Sequence, residues 1–143
     1  MHRGIDTTFL VQAEVRDHPG HAAAKAKLDD LLKAGDTLVL APQVLAEFIQ
    51  IVTDPRRFSD PLSIGQATSR AELWWSAREI AQVFPGHDSV VLFLNWIAEH
   101  KLGRKRILDT MLAATYFSNG VRSILSSNAR DYGIFGCFEV VVP

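Results

Sequence analysis

The chain alternates short apolar runs with longer stretches of helical periodicity, and this alternation restricts its fold more than any other feature. Gly4-Ile5-Asp6 ends a first strand, and Thr37–Leu40, Ser123–Ser126 and Glu139–Val142 have the length and apolar content of buried strands. Between them, Thr7–Val11 reads as a turn into a short helix. Pro19–Ala34 is amphipathic, with Leu28, Leu31 and Leu32 inward and Ala22, Ala26 and Asp29 outward, and Gly35 stops it. Pro42 starts a helix that runs through Val52 before Asp54-Pro55 ends it. From Pro61 or Ser63 to Val83, Leu73, Trp74, Ala77, Ile80 and Ala81 recur at three and four, which predicts one long helix broken by Pro85-Gly86. Asp88 is expected to cap a helix through Lys101, and Asp109–Asn119 forms the last, closed by Gly120. Strands joined by helices imply right-handed crossovers onto a mainly parallel sheet with helices on both faces, an α/β fold. Ligands bind such sheets beyond the carboxyl ends of the strands. Asp6 and the segment Ser126–Asp131 both fall there.

A chain of 143 residues has the size of one compact domain, taken here as 1–143. Its 48% hydrophobic and 22% charged residues are a globular composition. Lys and Arg total 15 against 16 Asp and Glu, so no global positive field attracts a polyanion, and any nucleic-acid contact must come from a local patch. Cys137 is the only cysteine, which excludes an internal disulfide and a cysteine-built zinc site and fits a reducing compartment. Met1–Leu10 has no signal-peptide core, and the longest apolar stretch, Val90–Ala98, is interrupted by Asn95 and far too short to span a bilayer. A cytoplasmic protein without a membrane segment is expected.

Three acids stand where solvated surface charge is not expected. Glu47 lies at the margin of the apolar helix face of Val44, Phe48, Ile51 and Val52, although a Glu leaning outward beside Gln50 fits the same pattern. Asp109 precedes the inward stripe of Leu112, Ala113, Tyr116 and Phe117, and helix capping is its simplest alternative role, unsupported by a Glu or Gln at position 112. Asp6 ends an apolar strand before Thr7 and Thr8, where it also suits a turn that bonds its own backbone. Asn128 and Asp131 follow the strand ending at Ser126, in a segment whose composition is that of a loop. Gathered at one sheet edge, these carboxylates would repel one another and raise their pKa values. A divalent cation removes the conflict, and hard oxygen donors suit Mg²⁺ or Mn²⁺.

Arg104, Lys105 and Arg106, just before Asp109, are the first choice for phosphate contacts, with Arg56, Arg57 and Arg130 in other loops. Trp74 and Trp75 cannot both lie on one narrow helix stripe, so one of them is expected at a surface. His18 and His21 lack further ligands nearby, and Cys137 is expected to pack beside Phe138.

The segments "GIDTTFL" (Gly4–Leu10), "VLAEFIQIVTDPRR" (Val44–Arg57), "ILDTMLAATYFSNGV" (Ile107–Val121) and "ILSSNARDYGIFGCFEVVVP" (Ile124–Pro143) occur in an order and spacing that resemble the PIN domain, in particular the VapC-like toxins of bacterial type II toxin-antitoxin pairs. The resemblance covers nearly the whole chain. It implies a three-layer α/β/α sandwich around a mainly parallel sheet, with Asp6, Glu47 and Asp109 as the main acids of a Mg²⁺ or Mn²⁺ site. Many members carry an aspartate where this chain has Asn128, so Asn128 and Asp131 together are expected to fill the fourth position, with Ser126 hydrogen-bonding a metal ligand or water. The activity implied is metal-dependent endoribonuclease hydrolysis of RNA phosphodiesters, with Arg104 and Arg106 near the substrate, a small VapB-like antitoxin as partner, and a homodimer. The alternative is a catalytically silent PIN-like module that binds RNA or protein.

Overall fold

The computed structural model covers Met1–Pro143. The elements follow in the order β1 (His2–Ile5), α1 (Thr7–Glu14), α2 (His21–Lys33), β2 (Thr37–Leu40), α3 (Pro42–Val52), α4 (Ile64–Ser76), β3 (Ile80–Gln82), α5 (His87–Glu99), α6 (Ile107–Ser118), β4 (Ser123–Leu125), α7 (Ala129–Gly133) and β5 (Glu139–Val141). The five strands form one sheet in the order β3-β2-β1-β4-β5, and every pairing is parallel. Helices α1 to α4 pack on one another, and α5 packs on α6, which gives the two helical layers. The expected α/β/α architecture is therefore present.

The strand order fixes where a ligand can sit. From β1 the chain builds outward through β2 to β3, then returns to the other side of β1 to add β4 and β5. The connections on the two sides of β1 thus leave in opposite directions, and a crevice opens between the carboxyl ends of β1 and β4. Asp6 follows β1 and Ser126 follows β4, so both flank that crevice. At the opposite end of the strands, Arg3 donates from Nε to Asp36 Oδ2 at 2.7 Å and from Nη1 to Ser123 Oγ at 2.8 Å, holding β1, β4 and the turn before β2 together. That hydrogen bond holds the Asp36 carboxyl below its ordinary range.

Local chemistry explains most boundaries. Pro42 begins α3, where a missing N–H costs nothing. Ser63 and Gln66 form a reciprocal capping box at the start of α4. Gly35 and Gly120, after α2 and α6, have φ of +83° and +81°, a conformation that glycine adopts without penalty. The core is formed by both faces of β1, β2 and β4 together with Phe9, Leu10, Val44, Phe48, Leu112 and Tyr116.

Five expectations need correction. The helix predicted to reach Val83 stops at Ser76, and Ile80–Gln82 is an edge strand paired with Leu38–Leu40. A short apolar run fits either period, and the free edge of β2 decides it. Leu73, counted among the apolar residues recurring at three and four, is 67% exposed; Ala67 and Ala71 are buried instead. Asp88 does not cap α5: Gly86 takes that position, with its N–H bonded to Ser89 Oγ, and Asp88 sits in the first turn. Asp109 does not open its helix either, because a 3-10 turn at Arg104–Arg106 leads into α6 at Ile107. Finally, Ala129–Gly133 is a short helix rather than a loop, with Asn128 at its N-cap position.

Trp74 and Trp75 are both half-buried, the first donating to Glu14 Oε1 at 2.6 Å and the second meeting Phe84 edge to face. Cys137 is half-buried against the core beside Phe138. No helix is long and apolar enough to cross a membrane.

Candidate metal centre

Asp6 caps a helix and also reaches across the crevice. One oxygen, Oδ1, caps α1 by accepting from Phe9 N–H at 2.9 Å and also accepts from Thr8 Oγ1 at 2.8 Å. The other, Oδ2, accepts from Ser126 Oγ across the β1–β4 crevice. Ser126 in turn accepts from Asn128 N–H at 2.9 Å, so its hydroxyl is fixed as a donor toward Asp6. Asp6 is only 3% exposed. Burial pushes its carboxyl above the ordinary range, partly offset by the Ser126, Phe9 and Thr8 hydrogen bonds, and Asp131 adds repulsion.

Glu47 is half-buried on α3, one helical turn after Gln43. Gln43 Nε2 donates to Glu47 Oε1 at 2.8 Å and to the Leu108 carbonyl at 2.7 Å. That amide therefore orients the carboxylate and ties α3 to the first turn of α6, from which Asp109 projects. Gln43 escaped the sequence reading: its i, i+4 spacing to Glu47 was a signal, but the link to Leu108 depends on the fold.

Asp109 is where the acids meet. Its pKa rises from 3.8 to about 6, first through burial, then through repulsion from Asp131, Asp6 and Glu47 in that order, with Arg106 opposing. Four carboxylates from α3, α6, α7 and the end of β1 thus act on one another. Tyr132, buried beside them, has its phenol pushed up mainly by burial and then by the same acids.

Asp131, half-buried on α7, is felt by both Asp6 and Asp109. Asn128 is exposed and contributes its backbone N–H to Ser126. Arg106 stands against Asp131, with Nε 3.7 Å from Oδ1 and a hydrogen bond from the guanidinium to the Asp131 carbonyl, while Nε itself is buried without a hydrogen-bond partner. Arg104 and Lys105 remain exposed in the same turn, and Arg130 is exposed on α7. Arg56 and Arg57 pair loosely with Asp54, outside the acidic group. His18 and His21 do not form a ligand pair: each ring nitrogen Nδ1 meets the backbone, of Gly20 and Gln12 respectively.

No three His, Cys, Asp or Glu side chains lie together in a group that could hold a metal ion by themselves. The arrangement is an open one, in which mutually repelling carboxylates line one side and no thiol or imidazole takes part. That donor set fits a hard divalent cation that keeps most of its water, as Mg²⁺ does when held by one or two carboxylates and a substrate phosphate. Crowding at Asp6 and Asp109 raises the energy of the ion-free protein, and a divalent cation would relieve it.

A parallel five-stranded α/β protein with one buried and three half-buried acids at its topological switch point is the class that fold and site define. A PIN domain family model matches residues 5–132, and the chain belongs to that family. It is 29% identical over 141 residues to Ribonuclease VapC24 of Mycobacterium tuberculosis, covering 97% of this chain and 94% of the relative, and 29% identical over 115 residues to Ribonuclease VapC43 of the same organism. Among solved structures, it superposes on VapBC2 from Rickettsia felis, bound to a DNA fragment from its promoter, with a TM-score of 0.73 at 16% identity, covering 100% of this chain and 99% of the other. The sarcin-ricin-loop-cleaving toxin VapC20 of M. tuberculosis gives 0.65 at 16% identity over 87% of each chain.

Proposed function

We propose that the protein is a Mg²⁺- or Mn²⁺-dependent endoribonuclease and the toxin of a VapBC-type pair, restrained by a small VapB-like antitoxin and assembling as a homodimer. The gathering of Asp6, Glu47, Asp109 and Asp131 from four separate elements at one sheet edge, where burial and mutual repulsion push the Asp109 carboxyl up, is the observation that carries this reading. Similarity to named VapC ribonucleases along nearly the whole chain supports the choice of RNA. The silent-module alternative finds no such support, because a binding module has no use for repelling acids half removed from water.

When bound, the cation supplies Lewis acidity toward the phosphodiester and its attacking water. Asp6 and Asp109 hold it, with Asp6 fixed by Ser126 and Thr8. Glu47, oriented by Gln43, and Asp131, paired with Arg106, complete the acidic set and orient the attacking water. The guanidinium of Arg106 and the exposed Arg104 neutralise substrate phosphates.

Purified protein mixed with a pooled RNA in Mg²⁺ or Mn²⁺ should yield discrete fragments, and EDTA should stop the reaction. Cleavage that persists in EDTA and in Asp6→Ala overturns the proposal. Ser126→Ala removes the donor to Asp6 and should weaken metal-dependent cleavage by about 10- to 100-fold, the usual effect of losing a group that orients a ligand. Rescue of the rate by excess Mn²⁺ in that variant would show that affinity is what was lost.

A further inference from the structure

Beside the acids lies an open cavity of about 630 Å³, within the usual range for small-ligand pockets. It is bounded by α1, the α1–α2 turn and the α3–α4 connection. Thr8 and Ser127 form its side toward the crevice, and a hydrogen-bond chain joins the two places. Gln12 Nε2 donates to Ser127 Oγ at 3.2 Å, Ser127 to Thr8 Oγ1 at 3.3 Å, and Thr8 to Asp6 Oδ1 at 2.8 Å. A molecule in the cavity therefore lies against the groups that hold Asp6.

The walls combine an aromatic ring with mixed polar groups. Phe58 is half-buried and backed by the core, so one face of the cavity is apolar and rigid. Gln12 is held by Ser127 and packed under Gly20, where a Cβ would come within 3.1 Å of its amide carbon. Gly20 N–H donates to His18 Nδ1 at 2.9 Å, which puts the proton of a neutral ring on Nε2 as a donor. Asp17 adds an anionic acceptor, and Arg57, 62% exposed and 3.8 Å from Asp54, has the freedom to turn toward a phosphate. Aromatic stacking plus donors and acceptors for a base edge is how proteins read unpaired RNA.

Resting on the nuclease reading above, we propose that this cavity is the subsite for an unpaired RNA nucleotide flanking the scissile phosphate. Phe58 stacks on the base, Gln12, Asp17 and His18 read its edge, and Arg57 meets its phosphate. Asp17 accepts from a donor on that edge, the exocyclic amino group of cytosine, adenine or guanine or the N3–H of uracil, so removing its charge changes which base is preferred at that position.

Two measurements test this. Binding of fluorescent hexanucleotides in EDTA, independent of cleavage, should fall about 5- to 100-fold in Phe58→Ala, the range for losing one stacked base. End-mapping of cleavage in a random RNA pool should show a base bias at one position flanking the cut for the wild type, with that bias altered in Asp17→Asn, an exposed site whose change leaves the core untouched. Unchanged hexanucleotide binding and unchanged flanking preference in both variants overturn the subsite. Variants that escape a protein inhibitor while binding and cutting RNA as the wild type does also overturn it, and assign the cavity to the inhibitor. Failure of the nuclease reading looks different: the wild type then binds hexanucleotides but cuts none in Mg²⁺ or Mn²⁺.

Discussion

Asp109→Asn is expected to abolish metal-dependent RNA cleavage, by about 1,000-fold or more, and at the same time to raise the melting temperature of the metal-free protein at about pH 7.5. In the folded protein the Asp109 carboxyl titrates near 6 rather than at 3.8, so the folded state holds its proton more tightly than the unfolded state does. Stability is therefore lost as pH climbs from about 4 to about 6, and the full penalty persists above that range. The shift corresponds to about 3 kcal/mol, which partial exposure and solvent screening reduce to about 1–2 kcal/mol. No hydrogen bond contributes to the Asp109 shift, so an amide forfeits none. The expected rise is about 3–8 °C, vanishing near pH 4 and in wild-type protein saturated with Mn²⁺. Thermal melts across that pH range check it. A variant that melts below the wild type at pH 7.5 would contradict the proposed crowding of charge.

Gly4→Ala is expected to destabilise the fold by about 1–3 kcal/mol, the cost of forcing a methyl into a filled core. A Cβ at Gly4 would lie 2.7 Å from both Cδ2 and Cε2 of Tyr116. The ring has no room to retreat, since Tyr116 is fully buried and its hydroxyl donates to the carbonyls of Ile5 and Val39. This contact holds Tyr116 of α6 against β1, the strand that ends at Asp6. Urea unfolding should show a lower midpoint at constant slope, and the variant should lose metal affinity as well. A change below about 0.5 kcal/mol would mean that α6 shifts on the sheet at little cost.

The long periodic helices, the buried strands and the edge at which Asp6 stands are legible in the sequence because each depends on local pattern. β3 is not, since Ile80–Gln82 acquires its conformation from the unpaired edge of β2. The start of α6 is obscured by the 3-10 turn of three cationic residues, which offers no capping side chain. Asp131 stands on α7, five residues long, and with the preceding Asn128 its Asp and Gly give the segment the composition of a loop. The bonds that orient the acids are also long-range: Ser126 meets Asp6 across 120 residues and Gln43 meets Leu108 across 65. Topology brings these pairs together, and no window along the chain contains them.

The most direct test of a shared ion is calorimetric titration of Mn²⁺ into the purified protein near neutral pH, with Asp6→Asn and Asp109→Asn in parallel. Saturable binding in the wild type, weakened at least about tenfold by each substitution, is the predicted result. Equal binding in all three proteins, or none in the wild type, would contradict a metal centre built from these acids.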